Sequence, residues 1–141
     1  TARDGGAVAM AIIGLMRETL AELDAEGSLS ELRTQLAEAV GAYEDVVRFV
    51  AERYRGDVRE VYAGSVPYLM LAGYAHGGWQ MARAALAAQR KIAKGDVDDF
   101  YPAKLASARF YCAHLLPRVE ALRREILHGA TSTLAMPADA F

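Results

Sequence analysis

Residues 101–126, YPAKLASARFYCAHLLPRVEALRREI, carry the clearest periodicity in the chain. Tyr101, Leu105, Ala108, Cys112, Leu115, Val119, Leu122 and Ile126 recur at alternating steps of four and three. That is the spacing of a helix burying one seam against neighbours that lie nearly parallel to it. Pro117 falls inside the pattern. There it removes one backbone hydrogen bond and crowds the carbonyl four residues back, so a kink is expected near Ala113. Truncating Leu115 to Ala should open a cavity in this seam and cost about 2–5 kcal/mol.

Working outward, Gly95 separates this helix from the one before it, and Asp96 is the expected cap. A third helix is predicted from a cap at Ser65 to Lys94, with Pro67 tolerated in its first turn. Residues 57–64 read either as an extra helical turn or as a connection, because Val58, Val61 and Tyr62 are apolar while Gly56 and Gly64 punctuate both sides. A second helix opens on a Ser28/Glu31 capping box and carries the seam Leu32, Leu36, Ala39, Tyr43, Val46 and Val50 to near Gly56. The first starts near Asp4, whose carboxylate can accept from the free N–H groups that follow, and runs to about Glu26 with the seam Ala9, Ile13, Met16, Leu20 and Leu23. No strand pattern competes. The expectation is one all-α domain over residues 1–141, an antiparallel up-down four-helix bundle with residues 1–6 as a linker edge and 131–141 as a C-terminal tail.

Composition narrows the function. Sixteen Lys and Arg nearly cancel eighteen Asp and Glu, for a net charge of −2. The signs are interspersed, so no basic face for nucleic-acid phosphates stands out. The single cysteine, Cys112, forms no internal disulfide, and a reducing, cytoplasmic setting is the natural expectation. The opening Thr1-Ala2-Arg3-Asp4-Gly5-Gly6 has neither a starting Met nor a signal-peptide layout, and reads as the edge of something longer. Residues 66–86 are the most apolar, but His76, Gln80, Arg83 and several glycines interrupt them, which suits a buried helix rather than a membrane span.

Candidate chemistry is sparse. A di-iron bundle needs two Glu-x-x-His pairs, and only Glu125/His128 occurs, in the last turn of the last helix, where His128 is better placed to meet exposed carbonyls. Cys112 lies on the seam, where a thiol is a small apolar group with a normal or raised pKa, and His114 points away from it around the helix. Gly73, Gly77 and Gly78 lack the strand-to-helix turn of a phosphate loop and suit close approach of another helix. No catalytic, cofactor-binding or metal-binding residue is therefore assigned. The third helix is the most informative. Its polar or small positions Gly73, His76, Gln80, Arg83, Arg90 and Lys94 form a narrow stripe, while Tyr68, Leu69, Leu71, Tyr74, Ala75, Trp79, Met81, Ala82 and Leu86 fill most of the circumference. Such a helix is either tightly packed with a few exposed aromatics or covered by a partner surface, and the second reading is preferred.

The chain also resembles the C-terminal extension of the larger acyl-CoA dehydrogenases, the group similar to 3-methylmercaptopropionyl-CoA dehydrogenase. The matching stretches are Arg3-Asp4-Gly5-Gly6-Ala7, Tyr68-Leu69-Met70-Leu71 with Gly77-Gly78-Trp79 and Met81-Ala82-Arg83-Ala84-Ala85, and Phe100-Tyr101-Pro102-Ala103-Lys104-Leu105 on to Phe110-Tyr111. Leu115-Leu116-Pro117, Gly129-Ala130, Thr133-Leu134-Ala135-Met136 and Phe141 are similar too, and residues 53–64 are the weakest part. The resemblance implies a flavoprotein parent of fatty-acid-type metabolism. Its oxidoreductase body removes hydrogens from the α and β carbons of an acyl-CoA thioester with FAD as hydride acceptor. It also implies that the catalytic glutamate and the FAD site precede this extension, that the extension's partner is the catalytic body of its own parent, and that the assembly is a homo-oligomer. The alternative is a free-standing helical interaction or dimerisation module unrelated to redox chemistry. The isolated chain is expected to show strong helical circular dichroism, bind no FAD and leave acyl-CoA unoxidised in the presence of an artificial acceptor. A yellow preparation that bleaches on adding acyl-CoA would contradict this.

Overall fold

The computed structural model describes residues 1–137; Phe141, one of the residues of the resemblance, and the end of the expected tail lie outside them. The described chain is all-α, without strands. Its helices are α1 (Ala7–Asp24), α2 (Ser30–Arg53), α3 (Val58–Ala63), α4 (Ser65–Ala93), α5 (Phe100–His114), α6 (Arg118–His128) and α7 (Ala130–Leu134), with a single 3₁₀ turn at Gly27–Leu29.

The core grows from α2. Every residue of its expected seam is buried, together with Val40, Ala42 and Val47. Full burial of one such Val or Leu side chain contributes roughly 1.5–3 kcal/mol, so this helix alone supplies a large share of the driving force. Against it pack Ile13, Met16 and Leu23 of α1, Leu71, Ala75, Ala82 and Leu86 of α4, and Cys112, Leu116, Val119 and Ile126 of the last segment. Polar contacts between helices mark how the rods lie. Arg33 meets Asp24 at 2.7 Å and Arg17 meets Glu44, so α1 and α2 run antiparallel. Trp79 Nε1 donates to Thr19 Oγ1 at 2.8 Å and Arg90 meets Glu22 at 2.6 Å, so α1 and α4 run the same way.

Several sequence expectations need correction at the helix ends. The first helix begins at Ala7, not Asp4, because Gly6 takes the left-handed N-cap at φ 85°. A Cβ at Gly6 would sit 2.9 Å from Val47, so the chain closes tightly there. Asp4 still serves the helix from upstream, its carboxylate accepting from Val8 N at 3.0 Å and Gly6 N at 3.1 Å. Those backbone bonds, with Val8 the larger effect, hold its carboxyl below the usual range. The Ser28/Glu31 box does not form. The 3₁₀ turn instead carries Leu29 fully into the core, and α2 starts at Ser30 without a side-chain cap. Burying a leucine outweighs the ~1 kcal/mol of a typical cap.

Residues 57–64 resolve into α3, capped by Asp57, whose carboxylate accepts from Arg59 N at 3.0 Å. Ser65 is the first residue of α4 rather than its cap, which is Gly64; a Cβ there would lie 3.3 Å from Ile126. The far end of α4 closes through Gly95 at φ 84°, with Gly95 N donating to Ile92 O and Asp96 N to Lys91 O, the paired bonds of a Schellman stop. Asp98, not Asp96, then accepts from Phe100 N at 2.9 Å.

The largest departure is at Pro117. The expected single kinked helix is two helices, broken over residues 115–117. Leu115 N and Leu116 N both donate to Tyr111 O, at 2.9 and 3.2 Å, so one widened turn absorbs an extra residue before the proline. The buried seam thereby slips from Leu115, which is half-buried, to Leu116, 3 % exposed. The expected cavity penalty moves with it. Leu116→Ala should cost about 2–5 kcal/mol in urea unfolding and Leu115→Ala clearly less; equal losses would contradict the slipped register.

Candidate docking surface

Residue types able to do chemistry are scattered rather than gathered. Cys112 is fully buried, and burial pushes its thiol up to about 11. His114 is exposed and stacks on Phe110 with ring centroids 4.5 Å apart. His128 and Glu125 are exposed on α6, and no hydrogen bond from His128 to a carbonyl occurs among the described residues. His76, expected on the polar stripe, is half-buried: its Nδ1–H donates to Ala72 O at 2.6 Å and its ring meets Tyr43 edge-on at 5.4 Å. Among the described residues no three His, Cys, Asp or Glu side chains come together as a metal set.

The charged residue that sequence reading missed is Glu44. It is buried on α2 and accepts from Arg17 of α1 and, at 2.6 Å, from Arg48 one turn on. Arg48 at i+4 was the available signal. Nearby, Glu120 accepts from Arg123 and Arg124, which hold its carboxyl down at about 2, and Arg123 reaches Asp45 of α2 at 3.1 Å.

The break between α5 and α6 leaves a groove of about 440 Å³ against α2. Ala39, Ala42, Cys112, Leu116 and Val119 form its apolar floor, with Gln35, Glu38 and Glu120 at the rim. No Lys, Arg or His lines this groove, so it offers no cationic side chain to the pyrophosphate of a flavin dinucleotide, and no flavin step is assigned to these residues.

The glycines of α4 divide into two kinds. A Cβ at Gly77 would lie 2.1 Å from the Tyr111 hydroxyl, and one at Gly78 2.5 Å from Leu116 Cδ2, so these two glycines do admit a neighbouring helix. Gly73 has nothing within 4 Å of that position and faces open space. The broad apolar girth of α4 is likewise divided. Leu71, Ala75, Ala82 and Leu86 are core. Trp79 and Tyr74 are half-buried with their polar ends satisfied inside the chain: the indole by Thr19, and the Tyr74 hydroxyl by Arg118 Nη1 at 3.0 Å. What remains open is a stripe along the first half of α4 and just before it: Tyr62 64 %, Val66 67 %, Leu69 73 % and Met70 47 % exposed. Of these only Leu69 was in the apolar set singled out from sequence.

The described residues form an all-helical domain whose exposed large apolar side chains include Val66, Leu69 and Met70 on α4 and Val8 and Leu15 on α1. No helix among the described residues is long and apolar enough to cross a membrane. The family model described as acetyl-CoA dehydrogenase C-terminal like matches residues 12–137, and the chain belongs to that family. It is 34 % identical over 133 residues to the 3-methylmercaptopropionyl-CoA dehydrogenase of Ruegeria pomeroyi, a match covering 94 % of this chain and 23 % of that protein. The chain thus spans under a quarter of the length of the curated relative it matches.

The buried thiol gives a pH test. The unfolded thiol releases its proton near its ordinary value of 9.0, whereas the folded one keeps it to about 11. Between those values the unfolded state binds fewer protons, so stability falls as pH rises. Tyr43, raised by burial, acts in the same direction at higher pH. The urea midpoint should therefore drop between about pH 8 and pH 10, and drop less in Cys112→Ala. The same drop in both would contradict a desolvated thiol.

Proposed function

We propose that this chain is the C-terminal helical domain of an FAD-dependent acyl-CoA dehydrogenase. The observation that carries the reading is the family match over residues 12–137 combined with a relative more than four times as long. On this reading the upstream body holds FAD and the acyl-CoA thioester and performs the α,β-dehydrogenation. The present residues contribute no catalytic group. They pack as an antiparallel up-down bundle, with α5 and α6 together as the fourth rod, residues 1–6 as the linker edge and 131–141 as the tail. The bundle covers and rigidifies the catalytic body or the interface between subunits of a homo-oligomer. A cytoplasmic setting suits the lone buried thiol.

The physical support is the mismatch between a well-formed core and sparse chemistry. Function resides in sites rather than folds, and here the titratable groups with displaced pKa values have structural causes: burial for Cys112 and Tyr43, and ion pairing for Glu120 and Asp57. The test is to express the complete product of the gene beside the 141-residue chain. The complete product should purify yellow and bleach on adding an acyl-CoA, while the chain alone stays colourless and inactive. A complete product without flavin, or one that leaves acyl-CoA thioesters unchanged, would contradict the reading.

A further inference from the structure

We propose that the groove between α2 and the α5–α6 junction is a binding site for a small organic cation, a compound with an apolar body and one ammonium or guanidinium group. The site is built from this domain alone and stands apart from the flavin chemistry proposed above.

The hollow follows from the local sequence. The widened turn before Pro117 seats Leu116 against Gly78 of α4, and α2 offers only the methyl groups of Ala39 and Ala42 to the space that is left. Cys112 and Val119 complete an apolar floor. Widened helical turns of this kind often accompany functional sites. At about 440 Å³ the groove lies within the range of pockets that hold small molecules, which are largely apolar with a few polar groups that set orientation. Two other hollows on the described surface have their cations matched inside the chain. In one, Arg90 meets Glu22 and Arg83 meets the Gln80 carboxamide; in the other, Arg48 meets Glu44.

The charge of the rim selects the ligand. Glu31, Glu38 and Asp45 recur at steps of seven, so their carboxylates follow one side of α2. Asp45 is met by Arg123 of α6 at 3.1 Å. Neither Glu31 nor Glu38 has an ion-pair partner among the described residues. Glu120, on the other wall, is already held by Arg123 and Arg124, so the unmatched charge is that of α2. Its field reaches the floor: burial, and after it the Glu31 carboxylate, raises the Cys112 thiol. A protonated amine at the rim gains attraction from Glu38 while its hydrocarbon covers Ala39, Ala42 and Val119. An anion meets the same row of carboxylates as repulsion.

The test is ligand-observed saturation-transfer NMR on the complete gene product at neutral pH. Phenylbutylamine, phenylbutanol and phenylbutyrate serve as probes of one shape and three charges. The amine should bind with a Kd on the order of 1 mM. It should bind about three- to fivefold more tightly than the alcohol, the gain of one exposed ion pair, and the carboxylate should bind more weakly than either. Glu38→Gln should cut the amine's preference over the alcohol to less than about twofold and leave the alcohol unchanged. Ala42→Leu, which fills the floor, should remove binding of all three. If circular dichroism shows that this variant does not fold, Glu38→Gln alone decides, since Glu38 is exposed and its replacement leaves the core intact. An amine that does not bind in the millimolar range, three probes that bind alike, or a preference that Glu38→Gln leaves undiminished would overturn the proposal. Binding to the 141-residue chain but not to the complete product would overturn it in favour of a groove covered by the rest of the polypeptide.

Discussion

Leu116 reaches the core only because Gly78 has no side chain, and this one contact sets the spacing of the rods around it. A Cβ at Gly78 would lie within 3.0 Å of three Leu116 side-chain atoms, and one at Gly77 would overlap the Tyr111 hydroxyl. With both positions bare, the junction of α5 and α6 settles directly onto α4. Tyr111 then donates to Tyr74 O at 3.2 Å, and Arg118 lies over the Tyr74 ring at 5.6 Å. The broad seam of α2 closes over the pair, and α1 lies along α2 and α4. A side chain at Gly78 would force these layers apart, and close-packed interiors absorb such added volume poorly.

The division of α4 into covered and uncovered halves follows from that arrangement. Its second half is enclosed by α1, through Trp79 and Thr19 and through Arg90 and Glu22, and by α5 on the other side. Its first half touches α6 and the short α3 but leaves the Val66, Leu69 and Met70 side uncovered.

Much of this was legible in the sequence wherever a single physical effect dominated. The α2 seam was read without error because six apolar residues at helical spacing leave no alternative face to bury. The all-helical class and the resemblance to acyl-CoA dehydrogenase extensions were equally open to reading. What escaped reading depended on competition between effects. Ser28 has the right chemistry for a cap, yet Leu29 next to it has more to gain from the core. Pro117 signals a disruption, but whether the helix bends or widens by a residue depends on whether Leu116 finds a notch at Gly78, a contact separated by 38 positions in the chain. The aromatics of α4 looked unpartnered because a sequence does not reveal that Thr19 and Arg118 satisfy their polar ends. The large apolar side chains of α4 that are exposed are instead Val66, Leu69 and Met70, nearer its start.

The central claim is that this bundle supports a catalytic body carried elsewhere on the same polypeptide. The most direct measurement is the melting of the complete gene product, followed by flavin release, with and without these 141 residues. The account predicts that the shortened protein still binds flavin but releases it at a distinctly lower temperature. Identical release temperatures would mean that the bundle neither covers nor stiffens the body, and would contradict the account.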